Sequence, residues 1–199
     1  MTVRNLEFLL APKSVALIGA SPEPGSIGRI IAANLIGSGF TGPVWLVNPK
    51  HTSIDGQPCY NSVAHLPGVP DLAVIATPPA TIPRLIDELG AKGTRAVVVI
   101  SAGVTAPLRQ AMLNAARPHL LRIQGPNCLG LMLPPIALNA SFCHRSPLAG
   151  DLALVSQSGA LITSIVDWSA SRGIGFSHIV SLGDMADVDF GDTLDYLAS

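Results

Sequence analysis

Short, wholly apolar runs alternate along the first two thirds of the chain with longer stretches in which apolar residues recur every three or four positions. Runs at residues 14–18, 44–47, 72–76 and 97–100 are bounded by Gly, Pro, Asn, Thr or Ser. They predict strands buried on both faces. Between them, residues 6–10 ahead of Pro12 predict a short leading helix, and residues 29–36 a second one. Asp55-Gly56 marks a turn, and residues 61–66 a single helical turn. Ile82, Leu85, Ile86 and Leu89 predict a helix ending at Gly90, and Leu108, Met112, Ala115 and Ala116 the next. A Gly- and Pro-bearing connection spans residues 125–147, after which the pattern restarts with a strand at 151–155 and a turn at 156–159. A helix follows, with Leu161, Ile165 and Trp168 on one face and Ile162 and Val166 beside them, then a strand at 176–182 and a helix at 193–198.

Apolar strands alternating with helices predict an α/β fold: a Rossmann-like domain with a parallel sheet covered on both faces. The division expected is a first domain over residues 1–145 and a second over 146–199. Two strands and two helices make a poor independent core. The second domain is therefore expected to be incomplete, its remainder covering an apolar edge.

Composition narrows the partners. Of 199 residues, 48% are hydrophobic and 13% charged, enough to bury a sizeable core. Twelve basic against thirteen acidic residues provide no basic field for nucleic acid and no polybasic membrane patch. The mean hydropathy of +0.46 raises the possibility of a membrane span. The uncharged stretch before Cys143 is broken, however, by Gly125-Pro126-Asn127 and Pro134-Pro135. Residues 1–12 do not resemble a signal peptide. Cys59, Cys128 and Cys143 are odd in number and lack C-x-x-C spacing, which fits reduced thiols in a cytoplasmic protein and gives no metal site.

The candidate chemistry begins where the first strand breaks into Gly19-Ala20-Ser21 and continues through Gly25 and Gly28 to a helix. Such a turn aims backbone N–H groups and a helix dipole at one point, where a phosphate binds well. The spacing is not G-x-G-x-x-G, since Gly25 lies six residues after Gly19. The second strand ends in Asn48-Pro49-Lys50, where an NAD site would carry an acid for the ribose hydroxyls. A lysine suits a ribose phosphate, so CoA is favoured, with NADP as its rival. Thr77-Pro78-Pro79 and Ser101-Ala102-Gly103 lie at later strand ends, and the paucity of N–H donors in the former suits an apolar arm such as pantetheine. Each has a plain alternative: Lys50 as a solvated lysine, Pro79 as a helix start, Asn127 as a turn residue and Ser158 as a helix cap.

Six spaced motifs carry a resemblance over the whole chain. They are residues 15–21, Asn48-Pro49-Lys50, Ser101-Ala102-Gly103, residues 125–130, residues 156–161 and Ser181-Leu182-Gly183-Asp184 with Ala186-Asp187-Val188-Asp189. In order and content they resemble the NDP-forming acyl-CoA synthetase family, which includes ADP-forming acetate–CoA ligase and the alpha subunit of succinyl-CoA synthetase. The resemblance implies a CoA-binding Rossmann-like domain followed by the start of a flavodoxin-like ligase domain. It implies that the loop from Gly19 to Gly28 takes CoA phosphates and Lys50 a ribose or pyrophosphate oxygen. Thr77 to Pro79 and Ser101 to Gly103 would take the pantetheine, with Asn127 near the thiol. Ser158, Gly159 and Ala160 would open a helix facing a phosphorylated histidine.

The family converts acyl phosphate and CoA to acyl-CoA, passes the phosphoryl group to a histidine and then to a nucleoside diphosphate. None of His51, His65, His119, His144 or His178 lies in the matching segment, so the catalytic histidine is expected beyond residue 199. The resemblance also implies ATP or ADP with Mg bound through further domains or a beta-type ATP-grasp partner, and an oligomer. Ala102 stands where succinyl-CoA synthetases carry Glu, which points away from a dicarboxylate ligase. Asp184 stands where acetate ligases commonly carry Asn. Leu182-Gly183-Asp184, residues 192–197 and residues 138–142 are similar to a branch fused to a GNAT lysine acetyltransferase, in which the region senses acyl-CoA. A hydrolase with Ser158, Asp167 and His178 is a remote alternative, because glycine is absent two residues either side of Ser158.

Overall fold

The computed structural model describes residues 3–199. Helix α1 (Glu7–Leu10) leads into β1 (Val15–Ile18), α2 (Ile27–Gly37) and β2 (Val44–Val47). A hairpin of β3 (Ser53–Ile54) and β4 (Gln57–Tyr60) follows, then β5 (Leu72–Ile75), α3 (Ile82–Lys92), β6 (Ala96–Val99), α4 (Ala106–Ala116) and β7 (Arg122–Gln124). The chain continues through β8 (Gly130–Leu133), β9 (Leu138–Ser141), β10 (Leu148–Ser156), α5 (Gly159–Ala170), β11 (Gly175–Ser181) and α6 (Phe190–Leu197).

The larger sheet runs β3-β4-β2-β1-β5-β6-β7, parallel throughout except for β3 against β4. Strand β1 lies at its centre, with Val15 opposite both Val44 and Leu72 and Ile18 opposite both Val47 and Ile75. Every residue of β1, β5 and β6 is buried, as strands covered on two faces require. Alternation divides them: Val15, Leu17, Leu72 and Val74 pack with Ile31 and Leu35 of α2, whereas Ala16, Ile18, Ala73 and Ile75 pack with Ile86 and Leu89 of α3 and Met112 of α4. Chain order reverses at β1, with β2 on one side and β5 on the other, so a crevice opens beyond their carboxyl ends.

The smaller sheet runs β10-β11-β8-β9, with β10 parallel and β8 antiparallel to β11. Helix α2 lies between the two sheets, and its Asn34 donates from Nδ2 to the carbonyls of Ser141 and Cys143, both at 2.9 Å. Leu131, Leu138, Val180 and Leu182 share one core with α2 and β1. A second tie runs along β7, where the N–H groups of Asp184, Ala186 and Val188 donate to the carbonyls of Pro126, Gly125 and Ile123 at 2.9–3.0 Å. The buried Arg122 holds Asp187 at 2.9 Å and Asp192 at 2.6 Å beside that ladder. No helix among the described residues is long and apolar enough to cross a membrane.

The Asp55-Gly56 turn is present but carries strands that were not expected, β3 and β4, which are too short and too polar for an alternation signal. Three expectations are corrected. Helix α3 continues through Gly90 to Lys92 and closes at Gly93, which has φ +114°. Glycine fits at position 90 because the His119 ring covers it; a Cβ there would lie 2.4 Å from that ring. The connection over 125–147 contains the hairpin β8–β9, whose β8 pairs with β11, so it is part of the smaller sheet rather than a plain link. On α5, Ile162, Val166 and Ser169 are buried, while Leu161 and Trp168 are exposed, with the Arg172 guanidinium 4.5 Å from the Trp168 ring centroid.

Candidate binding site at the strand ends

At the end of β1 the backbone turns at Gly19 with φ +97°, and its N–H donates to the Val47 carbonyl at 2.9 Å. A Cβ on Gly19 would stand 2.5 Å from the Ala76 oxygen, and one on Gly28 would stand 2.1 Å from the Gly19 oxygen. The two glycines thus let the ends of β1 and β5 and the start of α2 meet backbone to backbone. Gly25 lies in an exposed loop with no atom near its missing Cβ, and Ser21 supports that loop by accepting from the Glu23 N–H at 3.1 Å. Ser26 caps α2, accepting from the Arg29 N–H at 3.3 Å.

Asn48 organises the second strand end. Its Nδ2 donates to the Ala20 carbonyl at 2.7 Å, and its Oδ1 accepts from the Lys50 N–H at 2.8 Å. The Lys50 ammonium, exposed, has no partner among the described residues. It stands at the mouth of a cavity of about 820 Å³ over the ends of β1, β2 and β5. Ile18, Val47, Val63, Ala76, Pro78 and Leu85 form apolar walls, and Lys50, Arg84, Glu88 and Lys92 supply the charge. Arg84 pairs with Glu88 at 2.8 Å, and Lys92 donates to the Ala64 carbonyl at 3.5 Å. An apolar slot beside a glycine turn and a cationic rim can take a ligand that joins an apolar group to an anion.

Of the residues singled out in the sequence, Gly19, Lys50, Thr77 and Pro78 line this cavity. Pro79 instead starts the 3₁₀ turn Pro79–Thr81, and the Thr77 hydroxyl meets that of Thr81 at 2.8 Å. The remaining positions follow the strand ends away from the cavity. Ser101 Oγ donates to the Thr77 carbonyl, and the Ser101 carbonyl accepts from the Asn127 N–H at 3.1 Å. Ala102 and Gly103 lie exposed beside them.

Past Asn127 the two sheets meet. Asn127 Nδ2 donates to Asp184 Oδ1 at 3.1 Å, and Gln157 Nε2 donates to the Gly183 carbonyl at 3.3 Å. Ser158 caps α5, its Oγ accepting from the Leu161 N–H at 3.2 Å, while its own N–H donates to Ser156 Oγ at 3.1 Å. The first-turn N–H groups of Gly159 and Ala160 have no partner among the described residues, so they and the dipole provide the anion-attracting end of α5. Gly159 packs against Leu129, where a Cβ would lie 3.1 Å from the Leu129 Cβ, which sets this helix start beside the 125–130 loop.

Asp167 pairs with His144 at 2.9 Å and Arg145 at 3.3 Å, and Ser158 Oγ is used as a cap, so the hydrolase triad is not assembled. Burial pushes the Cys128 thiol up to about 12, which keeps it protonated at neutral pH. No group of three or more His, Cys, Asp or Glu that could hold a metal occurs among the described residues. Sequence reasoning missed Arg84, Glu88 and Lys92. Their spacing places them on the flank of α3, but only packing shows that this flank borders the cavity.

Comparison with known proteins matches these features. A family model described as a CoA binding domain covers residues 13–134, and a succinyl-CoA ligase-like flavodoxin domain covers residues 149–199. The chain is 43% identical over 199 residues to ADP-forming acetate–CoA ligase I of Archaeoglobus fulgidus, covering 97% of this chain and 29% of that protein. It is 41% identical over 202 residues to the alpha subunit of ADP-forming acetate–CoA ligase I of Pyrococcus furiosus, covering 96% and 44%. It superposes with TM-score 0.91 and 36% identity on dinucleotide-forming acetyl-coenzyme A synthetase 1 of Ca. Korarchaeum cryptofilum, solved with phosphate and ADP, covering 96% of this chain and 42% of that one. The chain spans less than half the length of these relatives. By the model over residues 13–134 the chain belongs to the CoA binding domain family, and residues 149–199 match the succinyl-CoA ligase-like flavodoxin domain.

Proposed function

We propose that this chain binds CoA or acyl-CoA across the carboxyl ends of β2, β1, β5, β6 and β7, as part of an ADP-forming acyl-CoA synthetase. The observation that carries this reading is the cavity at the reversal of strand order, where Gly19, Lys50 and Thr77 converge. Gly19 and Gly28 admit the phosphates to the backbone, and Lys50 takes the ribose phosphate. The loop between them, with Ala20, Ser21 and Gly25, borders the pyrophosphate. Thr77, Pro78 and Pro79 and then Ser101, Ala102 and Gly103 guide the pantetheine toward Asn127. At that point the start of α5, with Ser158, Gly159 and Ala160, offers N–H groups to a phosphoryl group delivered from elsewhere in the enzyme. The chain's own residues bind and orient. Phosphoryl transfer with ATP or ADP and Mg belongs to further domains or a beta-type ATP-grasp partner within an oligomer. The ligase reading is preferred to an acyl-CoA sensor fused to an acetyltransferase because the relatives named above are ligases and synthetases.

Calorimetry with CoA, dephospho-CoA and NADPH tests this proposal. CoA binds most tightly, and Lys50→Ala reduces CoA affinity by about tenfold while changing dephospho-CoA little, as loss of one charge-assisted contact to phosphate requires. Equal losses for both ligands would remove Lys50 from the ribose phosphate. Tighter binding of NADPH than CoA, or no CoA binding, would overturn the reading.

A further inference from the structure

The hydrogen bond from Asn127 to Asp184 joins the two sheets at the far end of the strand-end track. Both backbones are held there independently of their side chains. The Asp184 N–H donates to the Pro126 carbonyl at 2.9 Å, and the Asn127 N–H to the Ser101 carbonyl at 3.1 Å. Gly183 seats the loop so closely that a Cβ there would lie 2.2 Å from the Pro126 oxygen. Between two fixed backbones, the side-chain contact can serve orientation. A carboxylate only accepts hydrogen bonds, so only the NH₂ end of the Asn127 carboxamide can meet Asp184. The carbonyl end is thereby turned away, and Asn127 Oδ1 has no partner among the described residues.

We infer that Asp184 is a positioning residue: it fixes the Asn127 carboxamide with its oxygen presented as an acceptor to the arm of bound CoA. The donors on that arm are amide N–H groups and the thiol. This inference rests on the proposed CoA binding and adds the element that orients the arm. The placement follows from the sheet, in which β7 lies three strands from β1, roughly 14 Å at ordinary strand spacing. A ligand held at Gly19 and Lys50 would extend along that line through Thr77 and Ser101. An asparagine at position 184 could either donate or accept, and would leave both orientations of Asn127 open.

The test uses the full chain in calorimetry with CoA and with adenosine 3′,5′-bisphosphate, which lacks the arm. Asp184→Asn weakens CoA by about fivefold, the size expected for loss of one charge-assisted hydrogen bond and its orientation, and leaves the bisphosphate within about twofold. The exchanged pair Asn127→Asp with Asp184→Asn restores CoA affinity, because the carboxamide introduced at position 184 then donates and the second carboxylate oxygen at position 127 still accepts. Unchanged CoA affinity in Asp184→Asn overturns the inference, as does an equal loss for both ligands or no rescue by the exchange. If wild-type protein binds the bisphosphate but not CoA, the arm-positioning role fails alone. Binding of neither ligand removes the CoA reading and this role together.

Discussion

The closeness of Gly19 to Ala76 leads to a quantitative prediction for Gly19→Ala. The added methyl would lie 2.5 Å from the Ala76 oxygen and 2.9 Å from Thr77 Cγ2, and the residue would be held at φ +97°. A left-handed backbone costs a non-glycine residue about 1–2 kcal/mol, and forcing a methyl into a packed site about 1–3 kcal/mol. The sum is about 2–5 kcal/mol, a large part of the ~5–15 kcal/mol that holds a typical domain folded. Gly25→Ala separates the two causes, since Gly25 has φ +77° but no atom within 4 Å of the added Cβ. Only the backbone cost of about 1–2 kcal/mol applies there. Urea titration at constant m measures both variants, and calorimetry with CoA follows the cavity mouth, which Gly19→Ala would widen or close. Equal destabilisation of the two variants, or a loss below about 1 kcal/mol for Gly19→Ala, would refute close backbone approach as the reason for glycine here.

Three further outcomes follow. Arg122→Leu leaves the Asp192 carboxylate buried and that of Asp187 largely so without their guanidinium, and should cost about 3–5 kcal/mol in urea unfolding. Burial lowers the pKa of His178 below its ordinary 6.5, against an opposing hydrogen bond with the Leu10 backbone, and its buried Nδ1 has no partner. Below 6.5 the unfolded chain therefore binds the proton before the folded one does. Tm should fall as pH drops from about 7 through 6.5 toward the lowered value, and His178→Gln should flatten that slope. Cys128, buried and held protonated, should resist alkylation in the native protein at pH 8 and react within minutes in denaturant. Native-state labelling at the unfolded rate would contradict its burial.

The strongest sequence signals lay where burial is two-sided. Val15–Ile18, Leu72–Ile75 and Ala96–Val99 are apolar at every position because both faces meet helices, so a run alone located each strand. The residues between Ile82 and Leu89 showed α3 by period, but the end was misplaced, because Gly90 reads as a stop until the His119 ring is seen lying on it. The glycine turn and Lys50 stood out as candidates for phosphate contact by residue type and order. Their meeting with Thr77 in one cavity required the sheet.

By itself the sequence determined the strands buried on both faces, the principal helices and the parallel α/β class, since these rest on period and residue type, and its strand-end residues pointed to a phosphate-bearing ligand. The tertiary structure decided what depends on contacts distant along the chain. It assigned β8 to the smaller sheet through pairing with the distant β11, and β9 through its hairpin with β8. It drew Arg84, Glu88 and Lys92 to the cavity by packing one flank of α3 over β5. It also brought Asp184 to Asn127, a separation of 57 residues. Hydrogen-bond partners so far apart leave no periodic trace, because the pattern along a chain records which face is buried and not what that face is buried against.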